Sequence, residues 1–307
     1  MLVAVTGANG FIGRHACRAL RNAGHMVTAV IRRPEVTELD GASRVVHVVD
    51  GAQETDWREA LGDNEVVLHL AWPGGGEQES AMHGTLALAR AAATQTVKRF
   101  VFTSTIKVNG EATTTTPFRP DTEPQPTSTY GKMKLQTEIG LQAITEELGL
   151  PVTIVRPSAV YGPGGHGNIY LLIKLMMRMP GWTLPFAGIE NRRALIYGGN
   201  LASALVRCVE ETGDASHLFL LHDGERVTTS QLCQLILTSL TKSPRLAPDL
   251  FGLVRAVVSL AAPDIAGRLY GSLEIDDDGI NEALGWTPPF STAEGIGHTV
   301  AAFLDSR

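Results

Sequence analysis

Residues 2–13 read Leu-Val-Ala-Val-Thr-Gly-Ala-Asn-Gly-Phe-Ile-Gly, and this stretch decides the fold. Leu2–Thr6 is a short apolar run without polar alternation, the pattern of a strand buried on both faces. Three glycines follow with the spacing GxxGxxG, and Phe11–Asn22 then takes a helical pattern. Each glycine answers a steric demand. Gly7 permits a tight turn, Gly10 lets backbone approach a pyrophosphate, and Gly13 lets helix pack on strand. Free N–H groups at the helix start favour an anion at the same point. Strand, turn and helix together predict a dinucleotide cradle that includes Phe11 and Ile12.

Outward from this unit, apolar strands alternate with helical patterns. Met26–Ile31, Val45–Val49, Val66–Leu70, Phe100–Thr103 and Val152–Arg156 read as buried strands; Gly84–Thr96 and Ser128–Leu148 read as helices. The alternation predicts a doubly wound parallel sheet, an α/β Rossmann domain. After Pro157 the chain turns rich in Gly and Pro, and Ile169–Met179 resembles a helix with exposed methionines. The pattern returns to strand and helix over Ala194–Glu211 and His217–Leu221. A dinucleotide-binding domain over 1–157 plus about 192–222 is therefore expected. A smaller, discontinuous α+β substrate lobe is expected over about 158–191 plus 223–307.

The 307 residues are 44% hydrophobic and 19% charged, with a formal net charge of −6, values ordinary for a globular chain. The negative balance gives no long-range attraction to nucleic acid or an anionic membrane. Cys17, Cys208 and Cys233 are far apart, and the histidines lack ligand spacing, so neither a disulfide framework nor a metal site is expected. The strand pattern from Leu2 leaves no room for a signal peptide, and the apolar run 251–262 is broken by Arg255. It is too short to span a bilayer. A cytoplasmic location is expected.

The second strand ends Val30-Ile31-Arg32-Arg33, without the acid that usually binds the ribose of NAD. Two guanidinium groups there suit a 2′-phosphate, which favours NADP while NAD stays open; solvated turn arginines are the plain alternative. Asp50, after the third strand, is a candidate for the adenine amine or a simple helix cap.

Tyr130 and Lys134 stand four apart in a helical pattern, on one face. An ammonium beside a phenol favours the phenolate, bringing its pKa toward the working range for proton transfer. Thr103, Ser104 and Thr105 place hydroxyls at the carboxyl end of a buried strand, where such sheets bind ligands.

With these motifs in place, the sequence resembles the NAD-dependent epimerase/dehydratase branch of the extended short-chain dehydrogenases. It is most similar to nucleotide-sugar 4-epimerases related to UDP-glucose 4-epimerase. The likeness runs through TGANGFIG at 6–13, HLA at 69–71, FTSTIKVNGE at 102–111, STYGKMK at 128–134 and VRPSAVYGPGGHGN at 155–168. It continues through NRRALIYGGNL at 191–201, RLYGSLEID at 268–276 and ALGWTPPFSTAEGI at 283–296. The resemblance implies Tyr130 as acid/base, Lys134 as its partner and cofactor ligand, and Thr105, then Ser104, as the assisting hydroxyl. It also implies Leu70 and Ala71 along the cofactor, Asn168, Arg193 and Arg268 on a nucleotide sugar, and a homodimer. Ala81, Met133 and Ala159 stand where relatives commonly carry Asn, Ser and Asn, and the acid after the second strand is missing. The expected function is a nucleotide-sugar 4-epimerase. An NADP-dependent carbonyl or 4-ketosugar reductase is the alternative, and a non-catalytic NADP-binding regulator a distant third.

Overall fold

The computed structural model describes residues 1–32, 35–48, 55–73, 76–178, 184–240, 246–248, 260, 267 and 269–306. Arg33, Asp50, Arg268 and, Leu260 apart, the apolar run 251–262 lie outside them. The first part of the chain builds β1 (Leu2–Thr6), α1 (Phe11–Asn22), β2 (Met26–Ile31), β3 (Arg44–His47), α2 (Arg58–Leu61), β4 (Val66–His69) and α3 (Gln78–Ala93). Next come β5 (Arg99–Thr103), a 3-10 turn at Ile106–Val108, α4 (Thr129–Leu148), β6 (Val152–Pro157), β7 (Ala159–Tyr161) and α5 (Asn168–Arg178). They are followed by β8 (Leu184–Ala187), β9 (Arg193–Tyr197), α6 (Gly198–Glu210), β10 (His217–Leu221), β11 (Arg226–Val227) and α7 (Thr229–Ser239). After β12 (Leu246–Pro248) the chain forms α8 (Gly279–Leu284) and α9 (Thr292–Asp305).

Seven strands form one sheet in the order β10-β6-β5-β4-β1-β2-β3, every pair parallel. The expected doubly wound α/β sheet is thus present, with α1 and α6 covering one face and α3 and α4 the other. The strand order reverses between β1 and β4, so the carboxyl ends of those strands open a crevice at the switch point. Outside this sheet, β7, β9 and β11 form a three-stranded sheet, and β8 pairs β12. A separate apolar cluster joins α5, α7, α9 and β9. Asp223, buried, fastens this region to α6: it accepts hydrogen bonds from the Tyr161 hydroxyl (2.9 Å), the Tyr197 N–H (2.8 Å) and the Asn200 amide (2.7 Å).

Over 194–211 the chain forms strand and then helix, with Tyr197 extended and α6 starting at Gly198. One local expectation changes. On α5 the methionine side faces inward: Met176 is buried with Leu172 and Ile173, while Leu171 (63% exposed) and Leu175 (40%) face out. A helix with apolar residues on most sides carries more than one candidate face, and periodicity alone does not choose between them. Among the described residues no helix is long and apolar enough to cross a membrane.

A chain of hydrogen bonds fixes the crevice floor. The Ala71 N–H donates to Thr6 Oγ1 (3.3 Å), and the Thr85 hydroxyl donates to the Ala81 carbonyl (2.7 Å). Between them lies buried His69, with Nδ1 2.7 Å from Thr6 Oγ1 and Nε2 2.8 Å from Thr85 Oγ1. Since Thr85 has spent its proton on Ala81, His69 Nε2 must donate to it and Nδ1 must accept from Thr6. Burial, reinforced by the charge of Lys134, holds this imidazole neutral down to about 3. The unfolded chain therefore takes up a proton below about 6.5 that the folded chain refuses. Stability should fall as pH drops from about 6.5 toward 3, by at most about 1.4 kcal/mol per pH unit from this group. Urea unfolding at pH 7 and pH 5 checks it: His69→Asn, which keeps a donor and an acceptor without titrating, should lose less stability than wild type. Equal losses would refute the assignment.

Candidate active site

The glycine turn works by the absence of side chains. A Cβ on Gly7 (φ 67°) would lie 2.7 Å from the Ala71 nitrogen, and one on Gly13 2.2 Å from the Gly7 carbonyl oxygen. Helix α1 thus starts hard against β1 and the end of β4. Its N-cap, Gly10, supplies no side-chain bond, and its first turn carries no acid, so its leading N–H groups point to the crevice for an anion. The crevice encloses about 1160 Å³, ample for a dinucleotide. Gly7, Gly10, Phe11, Leu70, Ala71 and Arg32 line it; Ile12 packs into the core below, and Gly13 is buried. This cradle, built of bare backbone, fits a dinucleotide pyrophosphate. Arg32 directly follows β2, and Arg14 and Arg18 of α1 line the same cavity. Arg14 reaches the Asn9 carbonyl (3.1 Å), and Arg18 pairs with Asp40 (2.5 Å).

Helix α4 starts at a Ser128 cap whose Oγ accepts from the Gly131 N–H (3.3 Å), which places Tyr130 in the first turn and Lys134 one turn deeper. The Thr105 side chain lies close enough to the Tyr130 phenol to favour its ionised form, and Thr105 Oγ1 accepts from the Lys107 N–H (3.3 Å). Lys134 is buried, its Nζ donating to the Thr103 carbonyl at 2.8 Å. Tyr130, Lys134 and Thr105 are therefore brought together. Ser104 is turned away: its hydroxyl donates to Glu138, which also receives the Arg156 guanidinium (2.5 Å). Both ions are buried, and a buried carboxylate draws every nearby donor. The family resemblance made Ser104 next in line to Thr105; the Glu138 carboxylate claims its hydroxyl instead.

None of these residues lines the crevice itself. Trp72 connects the two regions: it lines the crevice, its ring lies 6.3 Å edge-on from Tyr130, and Lys134 Nζ sits 3.9 Å over its face. Trp72 was missed in the sequence, although it directly follows HLA at a strand's carboxyl end, where ligand-facing residues gather. His15 was also missed; it lines the crevice and bonds the Pro163 carbonyl (3.0 Å), tying α1 to the 162–167 loop. Asn168 opens α5 and is exposed. Arg193 is half-buried and donates to the Gly271 carbonyl (3.0 Å).

The electrostatics differ from the simple expectation of an acidified phenol. Burial pushes the Tyr130 phenol up to about 12, with the Thr105 side chain opposing it. Burial also pulls the Lys134 ammonium well below 10.5, with Glu138 opposing. An amine that deprotonates first gives the phenol no help. While charged, Lys134, its Nζ 5.9 Å from the centre of the Tyr130 ring, would favour the phenolate.

Residues 3–220 match the model of the NAD dependent epimerase/dehydratase family. The chain is 32% identical to a UDP-glucose 4-epimerase of Vibrio cholerae, over 99% of this chain and 96% of the relative. It is similar to the solved UDP-glucose 4-epimerase of Thermotoga maritima, with 26% identity, TM-score 0.78, and 100% and 99% of the two chains covered. A UDP-glucuronic acid 4-epimerase from Bacillus cereus in complex with NAD shares the fold at 23% identity and TM-score 0.79, covering 100% and 99%. On the family match and the full-length relative, the chain belongs to the NAD dependent epimerase/dehydratase family and is an NAD-dependent enzyme of that type.

Proposed function

We propose that the protein is a nucleotide-sugar 4-epimerase that accepts a UDP-hexose. The observation that carries this reading is the cluster of Thr105, Tyr130 and Lys134 at the carboxyl end of β5, joined to the dinucleotide crevice through Trp72. Full-length likeness to UDP-glucose 4-epimerases supports the substrate class. A nicotinamide, when bound, supplies the acceptor and donor of hydride. The chain's own residues handle the proton. Tyr130 removes it from the sugar C4 hydroxyl and returns it after the ring has presented its other face. Thr105 holds the phenol oxygen in place, and the Lys134 charge favours the phenolate. Gly7, Gly10 and the start of α1 hold the pyrophosphate, Leu70 and Ala71 flank the dinucleotide, and Asn168 and Arg193 contact the nucleotide sugar. The dinucleotide-binding part comprises 1–157 plus about 192–222, and the lobe about 158–191 plus 223–307.

Arg32 at the crevice favours a second reading, an NADP-dependent 4-ketosugar or carbonyl reductase that uses the same Tyr130 and Lys134. An epimerase keeps its cofactor through the cycle; a reductase exchanges it. Purified enzyme mixed with UDP-glucose or UDP-N-acetylglucosamine, without added cofactor, should produce the galacto epimers by NMR. Inertness toward these sugars, combined with steady NADPH consumption on a ketone, would replace the first reading by the second.

Tyr130→Phe should lower kcat at least about 100-fold while leaving dinucleotide affinity unchanged in calorimetry. Wild-type turnover by this variant would remove Tyr130 from the chemistry. Should Arg32 engage a 2′-phosphate, Arg32→Glu would weaken NADP binding about tenfold or more, as loss of a charge-assisted bond does, and spare NAD. Equal effects on both dinucleotides would assign the arginine to another task.

A further inference from the structure

We propose that Trp72 is a positioning residue for the acid/base pair, its indole face holding Lys134 as a cation where water does not reach. The proposal rests on the roles assigned above to Tyr130 and Lys134, but its test needs neither substrate nor dinucleotide. Lys134 donates one hydrogen bond, to the Thr103 carbonyl at 2.8 Å, and among the described residues no carboxylate lies within ion-pair distance of it. An ammonium has three N–H groups, so two are left to other partners. Aromatic faces take that place: Trp72 at 3.9 Å, Phe102 at 4.5 Å and Tyr130 at 5.9 Å from Nζ to ring centre. Tryptophan presents the most strongly negative face of the three residue types, and it is also the nearest here.

The indole is fixed in advance. Its Nε1 donates to Gln78 Oε1 (2.5 Å), and Gln78 Nε2 donates to the Pro73 carbonyl (3.1 Å). The ring rests against Phe102 at 6.4 Å and Tyr130 at 6.3 Å. A core filler needs neither the anchored N–H nor a face aligned on an ammonium. Among the surrounding charges, Glu138, one turn along α4, favours the cation from a distance, but its oxygens are engaged directly by Arg156 of β6 and by Ser104. His69 of β4 is neutral. Lys107 of the 3-10 turn pairs with Glu111 (3.0 Å), and on the α3 side Arg90 pairs with Glu147 (2.8 Å).

The test follows Lys134 itself. In protein carrying carbon-13 lysine, the Lys134 side-chain signal, assigned by its loss in Lys134→Met, is titrated by NMR. Trp72→Phe, which keeps an aromatic face, should titrate close to wild type. Trp72→Leu, dry but without a face, should titrate about one pH unit lower. Global replacement of tryptophan by a fluorinated analogue keeps the shape and drains the ring, so it should give a smaller drop in the same direction without risk to packing. An unchanged midpoint in the fluorinated protein, or a Trp72→Leu midpoint equal to wild type, overturns the proposal. So does a Trp72→Phe midpoint as low as that of Trp72→Leu. Failure of the sugar assay with these shifts intact would count against the proposed function alone.

Discussion

The structure depends on one close approach, that of the turn after β1 to the backbone at the end of β4. At Gly7 there is no space for a methyl group next to Ala71, and at Gly13 none next to the Gly7 carbonyl. Because those two segments touch, α1 begins beside the switch point of the sheet and aims its uncapped N–H groups into the crevice. The same contact fixes where the chain continues after Ala71, and so where Trp72 comes to rest. The polar chain from Ala71 through Thr6, His69 and Thr85 to Ala81 ties this floor to α3.

The second constraint is charge in a dry place. Lys134, Glu138 and Arg156 are all buried within one region of the molecule. Glu138 and Arg156 settle each other through direct hydrogen bonds, with Ser104 and Asn109 completing the set. Among the described residues Lys134 has no such direct partner, and it rests on a carbonyl and on rings. An arrangement of this kind holds the amine by a weaker set of contacts than the neighbouring ion pair enjoys.

Much of this was legible in the sequence because it follows from local rules. The glycines at 7, 10 and 13 state a backbone requirement, and the spacing of Tyr130 and Lys134 states a shared helix face. What was hidden depends on partners distant along the chain. Trp72 acquires its meaning from Lys134, 62 positions later, and Ser104 is claimed by Glu138, which nothing near residue 104 announces. On α5, choosing the buried face needed the packing of α7 and α9, supplied from far downstream.

Helices α7 and α9 each begin with a reciprocal capping box, at Thr228 with Gln231 and at Ser291 with Glu294. Ile296, Val300 and Phe303 of α9 complete the apolar cluster that α5, β9 and α7 start. Every strand of the large sheet lies before residue 222, whereas this cluster waits for residues near 300. As the chain leaves the ribosome, the sheet therefore has all its strands while the lobe still shows a greasy, half-built surface. That interval is when the nascent protein is most exposed to aggregation and most in need of a chaperone.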